Sequence, residues 1–280
     1  MCCKDPDNAE IAFFGGSFTA IRREYMTELL EAAHDFVGDG KFKGIRISTR
    51  PDYIDNDVLS ILKSYGVTSI ELGAQSLDDR VLKMNERGHT CEDVVKASQL
   101  IKKNHFELGL QMMIGLYGST LASELDTVNM ISALKPDTVR IYPVVILKNT
   151  RLGELYQSGE FKPFEFEQVV DIAARAIRKF ESEGIKVIKV GLHASEIVEQ
   201  EMLGGFYHPA FRELCEARNY RTAFEKLFSG EELIVSVPEK NLSKAVGQKK
   251  SNIRYFEGCG RKLTVIPDKN QTEYYKVIKQ

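Results

Sequence analysis

Short apolar runs and longer amphipathic segments alternate along the first 190 residues. The runs Ile11–Phe14, Gly44–Ser48, Ser69–Leu72, Glu107–Met113, Thr138–Pro143 and Val187–Val190 are rich in aliphatic and β-branched residues. They read as parallel strands buried on both faces. Between them the pattern predicts helices over 22–37, 55–65, 91–104, 119–134 and 165–183. The last is the clearest: Phe166, Val169, Val170, Ala173, Ile177 and Phe180 share one face, and Gly184 stands where a left-handed cap ends a helix. Thr90 is placed to N-cap the third helix, with Asp93 three residues on. Strict alternation of strand and helix implies a parallel sheet or barrel with function at the carboxyl ends of its strands.

The pattern changes after residue 231. Leu233–Val237 reads as a strand, Asn241–Val246 as a short helix, 247–250 as a turn, Ser251–Phe256 as a second helix and Lys262–Ile266 as a strand. The chain therefore divides into an α/β barrel with a helical extension over 1–230 and a small α+β unit over 231–280. Charge follows the same division. Residues 232–280 carry ten Lys/Arg against five Asp/Glu, whereas the rest carries 28 against 35. A cationic tail on an acidic body suits either an anionic partner or a solvated surface.

Composition excludes several classes. The 280 residues are 43% apolar and 28% charged, which is ordinary for a folded chain and unlike a disordered or coiled-coil one. No apolar run approaches the ~20 residues that span a bilayer. The opening MCCKDPDNAE has no apolar stretch of a signal peptide, so the sequence reads as cytoplasmic with no membrane partner. Cysteines at 2, 3, 91, 215 and 259 contain no C-x-x-C pair and suggest neither a disulfide framework nor a metal site by spacing.

Unusual residues collect at the predicted strand ends. Gly15-Gly16-Ser17 follows the first; Ser48 ends the second, before Thr49-Arg50-Pro51-Asp52. A glycine pair there either exposes backbone to a ligand or forms a tight turn. It is neither a Walker loop nor a G-x-G-x-x-G fingerprint. Gln75 and Ser76 follow the third strand; such a Gln needs partners for its carbonyl and its amide, from a ligand or from the core. Arg87 precedes a helix start, where it either pairs with a carboxylate or lies on the surface. Gln111 interrupts an apolar strand, and Arg140 and Tyr142 do the same in VRIYP. By spacing alone, His193 and His208 read as structural.

The segments EIAFFGGSFTAI, ISTRPDYID, IELGAQSLDDRVLKMNERGHT, LQMMIGLYGST and VRIYPVVILKNT, in this order, resemble the radical SAM superfamily. The nearest branch resembles the elongator catalytic subunit and the oxygen-independent coproporphyrinogen oxidase-like proteins. The resemblance implies a partial (β/α)6 TIM-like barrel that binds S-adenosylmethionine and a [4Fe–4S] cluster. It also implies an electron donor such as flavodoxin or ferredoxin, and hydrogen abstraction by a 5′-deoxyadenosyl radical. By motif, Gly15 and Gly16 match the pair that meets the methionyl amine, Gln75 the Gln of the G-x-Q-[SD] strand end, and Arg87 the arginine that pairs with the methionyl carboxylate. Gln111 stands where relatives carry an Asp for the ribose, and Ser48 where several carry a Glu. Ser17, Ser76, Arg140 and Tyr142 complete the expected cofactor site.

Relatives hold the cluster with C-x-x-x-C-x-x-C before the glycine pair. This chain has no such motif, and the adjacent Cys2 and Cys3 point to opposite faces of an extended segment. The expectation is thus a barrel lacking its first βα unit and its cluster ligands, inactive as it stands.

The segment 232–268 resembles a KH domain core, which implies that the turn Gly247-Gln248-Lys249-Lys250 contacts RNA through Gly247, Lys249 and Lys250, with Lys replacing the second glycine of G-x-x-G. Together these readings give a radical SAM enzyme acting on tRNA or another RNA. The alternatives are a porphyrinogen oxidase-like enzyme and a non-catalytic S-adenosylmethionine- or RNA-binding protein.

Overall fold

The computed structural model describes residues 5–193 and 196–280; Cys2 and Cys3 lie outside them. Strands β1 (Glu10–Phe13), β2 (Gly44–Thr49), β3 (Val67–Gln75), β4 (Glu107–Ile114) and β5 (Thr138–Pro143) pair in parallel in that order. The chain then makes a short β6 (Val145–Leu147) before β7 (Lys186–Val190) takes its place beside β5. The six-stranded sheet curls into a half-barrel. β6 pairs antiparallel with β8 (Met202–Gly205).

The crossovers carry α1 (Arg23–His34), α2 (Asn56–Ser64), α3 (Asp79–Met84), α4 (Cys91–Lys103), α5 (Leu121–Leu134), α6 (Arg151–Gln157) and α7 (Phe166–Ser182). All six predicted strands and all five predicted helices stand where the pattern put them. α4 opens with a capping box in which Asp93 N–H donates to Thr90 Oγ1 and Thr90 N–H to the Asp93 carboxylate. Val169, Val170, Ala173, Ile177 and Phe180 of α7 are buried, and Gly184 past its end has φ +76°. α3 and α6 were not foreseen; at six and seven residues they are too short to repeat an apolar period.

One expectation is corrected. The strands are apolar on one face only. Ile45, Ile47, Ile70, Leu72, Leu108 and Leu110 are fully buried in the main core. The alternate residues Arg46, Ser48, Glu71, Glu107, Gln111 and Arg140 share the other face, where they bond to one another across four strands. A half-barrel leaves its concave side without a covering layer of helices, so that side is polar and its charges offset one another in a shared network.

After α8 (Glu196–Glu201), the helix α9 (Phe211–Glu225) belongs to both parts of the chain: Phe211 and Cys215 enter the barrel core, while Tyr220 and Phe224 enter a second core. That second core holds β9 (Glu232–Pro238), α10 (Leu242–Val246), α11 (Ser251–Gly258) and β10 (Lys262–Asp268). The predicted strand–helix–turn–helix–strand order is present, and β11 (Lys276–Lys279) adds an antiparallel strand on the other side of β9. Among the described residues, no helix is long and apolar enough to cross a membrane.

Candidate functional site

The carboxyl ends of β1 to β5 converge on a cleft of about 560 Å³. Of the ten residues expected at a cofactor site, nine line it: Gly15, Gly16, Ser17, Ser48, Gln75, Arg87, Gln111, Arg140 and Tyr142. Phe14, Thr49, Arg50, Gly73 and His193 complete the wall. Ser76 does not reach it. Gln75 takes a left-handed conformation (φ 64°), and Ser76 turns into the body, where it accepts from Asp78 N–H at 3.2 Å and meets Thr127 Oγ1 at 3.4 Å.

Local packing fixes the rim of the cleft. Gly15 has φ +105°, which a side chain would resist, and a Cβ there would meet nothing within 4 Å. The loop it begins is anchored by Phe13 stacked on Phe18 and by Thr19 N–H donating to Thr49 Oγ1 at 3.2 Å. On the opposite side, the buried His89 bonds through Nε2 to the Ala74 carbonyl at 3.1 Å, which ties the segment carrying Arg87 to the end of β3. Nε2 is the donor in that bond, because a carbonyl only accepts.

Arg87 is the outlier in the cleft. Its Nε is buried with no hydrogen-bond partner among the described residues. Burial, and then the neighbouring Arg50 guanidinium, hold its pKa below the ordinary arginine value. Arg50 has a carboxylate of its own, Asp52, at 2.7 and 2.9 Å. Among the described residues the Arg87 guanidinium is therefore left without a counter-charge in a partly closed cleft, a costly state that an incoming carboxylate would relieve.

Beneath these residues lies the charge network of the concave face. Arg46 bonds Glu10 at 2.7 Å, Glu107 at 2.7 Å and Glu71 at 3.3 Å. Arg140 donates to Glu71 through Nε at 2.7 Å and Nη2 at 2.9 Å, with its guanidinium 5.1 Å from the centre of the Phe14 ring. Gln111 Nε2 donates to Glu71 at 2.9 Å and to Ser48 Oγ at 3.2 Å. Sequence reasoning missed Glu71, although a lone acid inside the apolar IELGA run was the available signal.

The remaining candidates lie elsewhere. His193 faces the cleft, with Nδ1 3.2 Å from Lys189 Nζ. His208 lies outside the cleft lining, accepts from Ala210 N–H at 3.1 Å and packs against Phe166. Cys91, Cys215 and Cys259 are free, and no group of three potential metal ligands occurs among the described residues. Gly247 ends α10, and Lys249 and Lys250 are exposed in the following turn with positive φ of 52° and 63°.

Fold and cleft together define a (β/α)-barrel protein with an open cleft at the carboxyl ends of its strands, the place where such folds carry their sites. Comparison with known proteins supplies the family. The profile described as the Radical SAM superfamily matches residues 3–131, and that of the Radical_SAM C-terminal domain matches residues 136–221. The chain belongs to the radical SAM superfamily, a family of enzymes whose members use S-adenosylmethionine and a [4Fe–4S] cluster.

Among its relatives, the tRNA uridine(34) acetyltransferase of Methanocaldococcus infernus is 30% identical over 190 residues, which are 61% of this chain and 36% of that protein. Human Elongator complex protein 3 is 29% identical over 191 residues, 61% of this chain and 35% of that protein. The chain thus spans about a third of the length of these relatives. In structure, an N-terminally deleted archaeal Elp3 from Methanocaldococcus infernus matches with a TM-score of 0.66 and 26% identity, over 81% of this chain and 56% of that one. Escherichia coli coproporphyrinogen III oxidase (HemN) matches at 0.51 and 15% identity, over 77% of this chain and 63% of that one, a likeness of fold alone.

Proposed function

We propose that the cleft binds S-adenosylmethionine and that the chain is the barrel of a radical SAM enzyme acting on tRNA or another RNA. The unpaired guanidinium of Arg87 carries this reading. It has no counter-charge among the described residues and offers itself to an incoming carboxylate. Backbone groups at Gly15 and Gly16 would hold the methionyl amine, Gln75 would bond through an amide that makes no hydrogen bond with the described residues, and Gln111 with Ser48 would meet the ribose hydroxyls. In this family S-adenosylmethionine, cleaved against a reduced [4Fe–4S] cluster, supplies the 5′-deoxyadenosyl radical that abstracts hydrogen. Among the described residues the cleft lining offers glycines, hydroxyls, amides and guanidiniums and no cysteine, so the contacts we assign to it are those of S-adenosylmethionine. In equilibrium dialysis, Arg87→Met should weaken S-adenosylmethionine binding about tenfold to a hundredfold, the range of a lost charge-assisted pair. Unchanged affinity contradicts the reading.

The RNA part rests on the relatives named for tRNA uridine and on the cations of the 247–250 turn, which would neutralise phosphates. Reversing both charges, Lys249→Glu with Lys250→Glu, should abolish retention of tRNA in a gel-shift assay at low salt. Retention equal to that of the unaltered chain counts against an RNA substrate held by this turn.

A further inference from the structure

We propose that Glu71 is a positioning residue: it holds the Gln111 side chain with its amide oxygen, and not its nitrogen, turned to the ligand. The cleft then selects for a hydroxyl group that can donate. This rests on the reading of the cleft as a site for S-adenosylmethionine.

Glu71 is 1% exposed, and a buried carboxylate is costly unless it is fully bonded. Its two oxygens receive four donors: Arg140 twice, Gln111 and Arg46. Neutralising Arg46 does not require Glu71, because Arg46 already has Glu10 and Glu107 at 2.7 Å, both closer than Glu71 at 3.3 Å. The shorter bonds of Glu71 go to Arg140 and Gln111, which both line the cleft. Space is reserved for this arrangement: a Cβ on Gly109, the residue paired with Glu71 on β4, would stand 2.7 Å from Glu71 Cγ.

A carboxylate between guanidiniums only accepts, so the Gln111 nitrogen must face it. Its second hydrogen goes to Ser48 Oγ. The oxygen of Gln111 is then the polar atom left for a ligand, and it accepts. Ser48, whose oxygen has taken the Gln111 hydrogen, keeps its own hydrogen to donate. An acceptor beside a donor is the complement of two neighbouring hydroxyls, as on a ribose. The polarity of the pair is set from below by Glu71.

The test compares S-adenosylhomocysteine with its 2′-deoxy and 3′-deoxy analogues by titration calorimetry. The intact chain should prefer the parent over one of the analogues roughly five- to tenfold, the worth of one hydrogen bond. In Gln111→Leu, which leaves every ion pair of Glu71 in place, the preference should fall below about twofold. Glu71→Gln should flatten it equally, because a neutral amide can hold Gln111 either way round. Adding Glu71→Gln to Gln111→Leu should change the preference no further. Gly109→Ala, which displaces the carboxylate with its charge intact, should also flatten it and covers the case in which Glu71→Gln does not fold. A merely structural role for Glu71 would weaken all three ligands together and leave their ratio alone. A folded Glu71→Gln or Gly109→Ala with the original preference overturns the proposal, as does Gln111→Leu with it. No preference in the intact chain also overturns it and spares the cleft reading; no binding of S-adenosylhomocysteine overturns both.

Discussion

Replacing Glu124 with glutamine should remove a pH dependence of stability that this carboxyl imposes. Glu124 lies in the first turn of α5, is 4% exposed, and accepts from Gly115 N–H at 2.8 Å, holding the turn that follows β4. Burial pushes its pKa from the ordinary 4.5 up to about 7, against the opposing pull of Gly115 N–H. The folded protein therefore keeps this proton at pH values where the unfolded chain has lost it. The stabilisation is complete below the unfolded value of 4.5 and is lost as pH rises through the folded value of about 7. A tenfold change in proton affinity is worth about 1.4 kcal/mol, so the loss across the window is about 3 kcal/mol. Glutamine keeps an acceptor for Gly115 and has no charge to bury. Urea unfolding at pH 5 and pH 8 should show the stability difference between the intact chain and Glu124→Gln changing by about 2.5 kcal/mol in favour of the variant at the higher pH, the rest of the loss falling below pH 5. A difference that is the same at both pH values refutes the reasoning, since every other titrating group cancels in the comparison.

Two further substitutions probe the second core and its turn. Asn252 is fully buried and donates to the carbonyls of Ala217 and Ala245 while accepting from Arg221, so it joins α9, α10 and α11. Asn252→Leu should cost about 3 kcal/mol in urea unfolding by stranding those groups, and a loss under ~1 kcal/mol contradicts that role. Lys250→Gly should relieve a left-handed lysine by about 1 kcal/mol. Its melting temperature should rise by a few degrees, and a fall contradicts the strain argument.

The strands and major helices were legible because each announces itself within a short window. The apolar face of α7 and the capping box of α4 are local signals. The strand-end residues were legible as well, since a parallel βα fold brings those ends together. The concave charge network was not, because Glu71 finds its partners 25, 40 and 69 residues away. Only the curvature of the sheet decides that Arg46, Gln111 and Arg140 surround it. Ser76 looked equivalent to Gln75 in the sequence, but the left-handed backbone at Gln75 sends the two in different directions. The sharing of α9 between two cores is hidden for a related reason: nothing local to Phe211, Cys215, Tyr220 and Phe224 says which core each side chain enters.

On the proposed reading, Arg87 is held unpaired for the carboxylate of S-adenosylmethionine. Titration calorimetry of the intact chain with S-adenosylmethionine and with its decarboxylated analogue tests it most directly. The two ligands share the sulfonium, ribose and adenine and differ only at the group assigned to Arg87. Loss of the carboxylate should weaken binding at least about tenfold, and the gap should close in Arg87→Met. Equal affinities for the two ligands in the intact chain would contradict it.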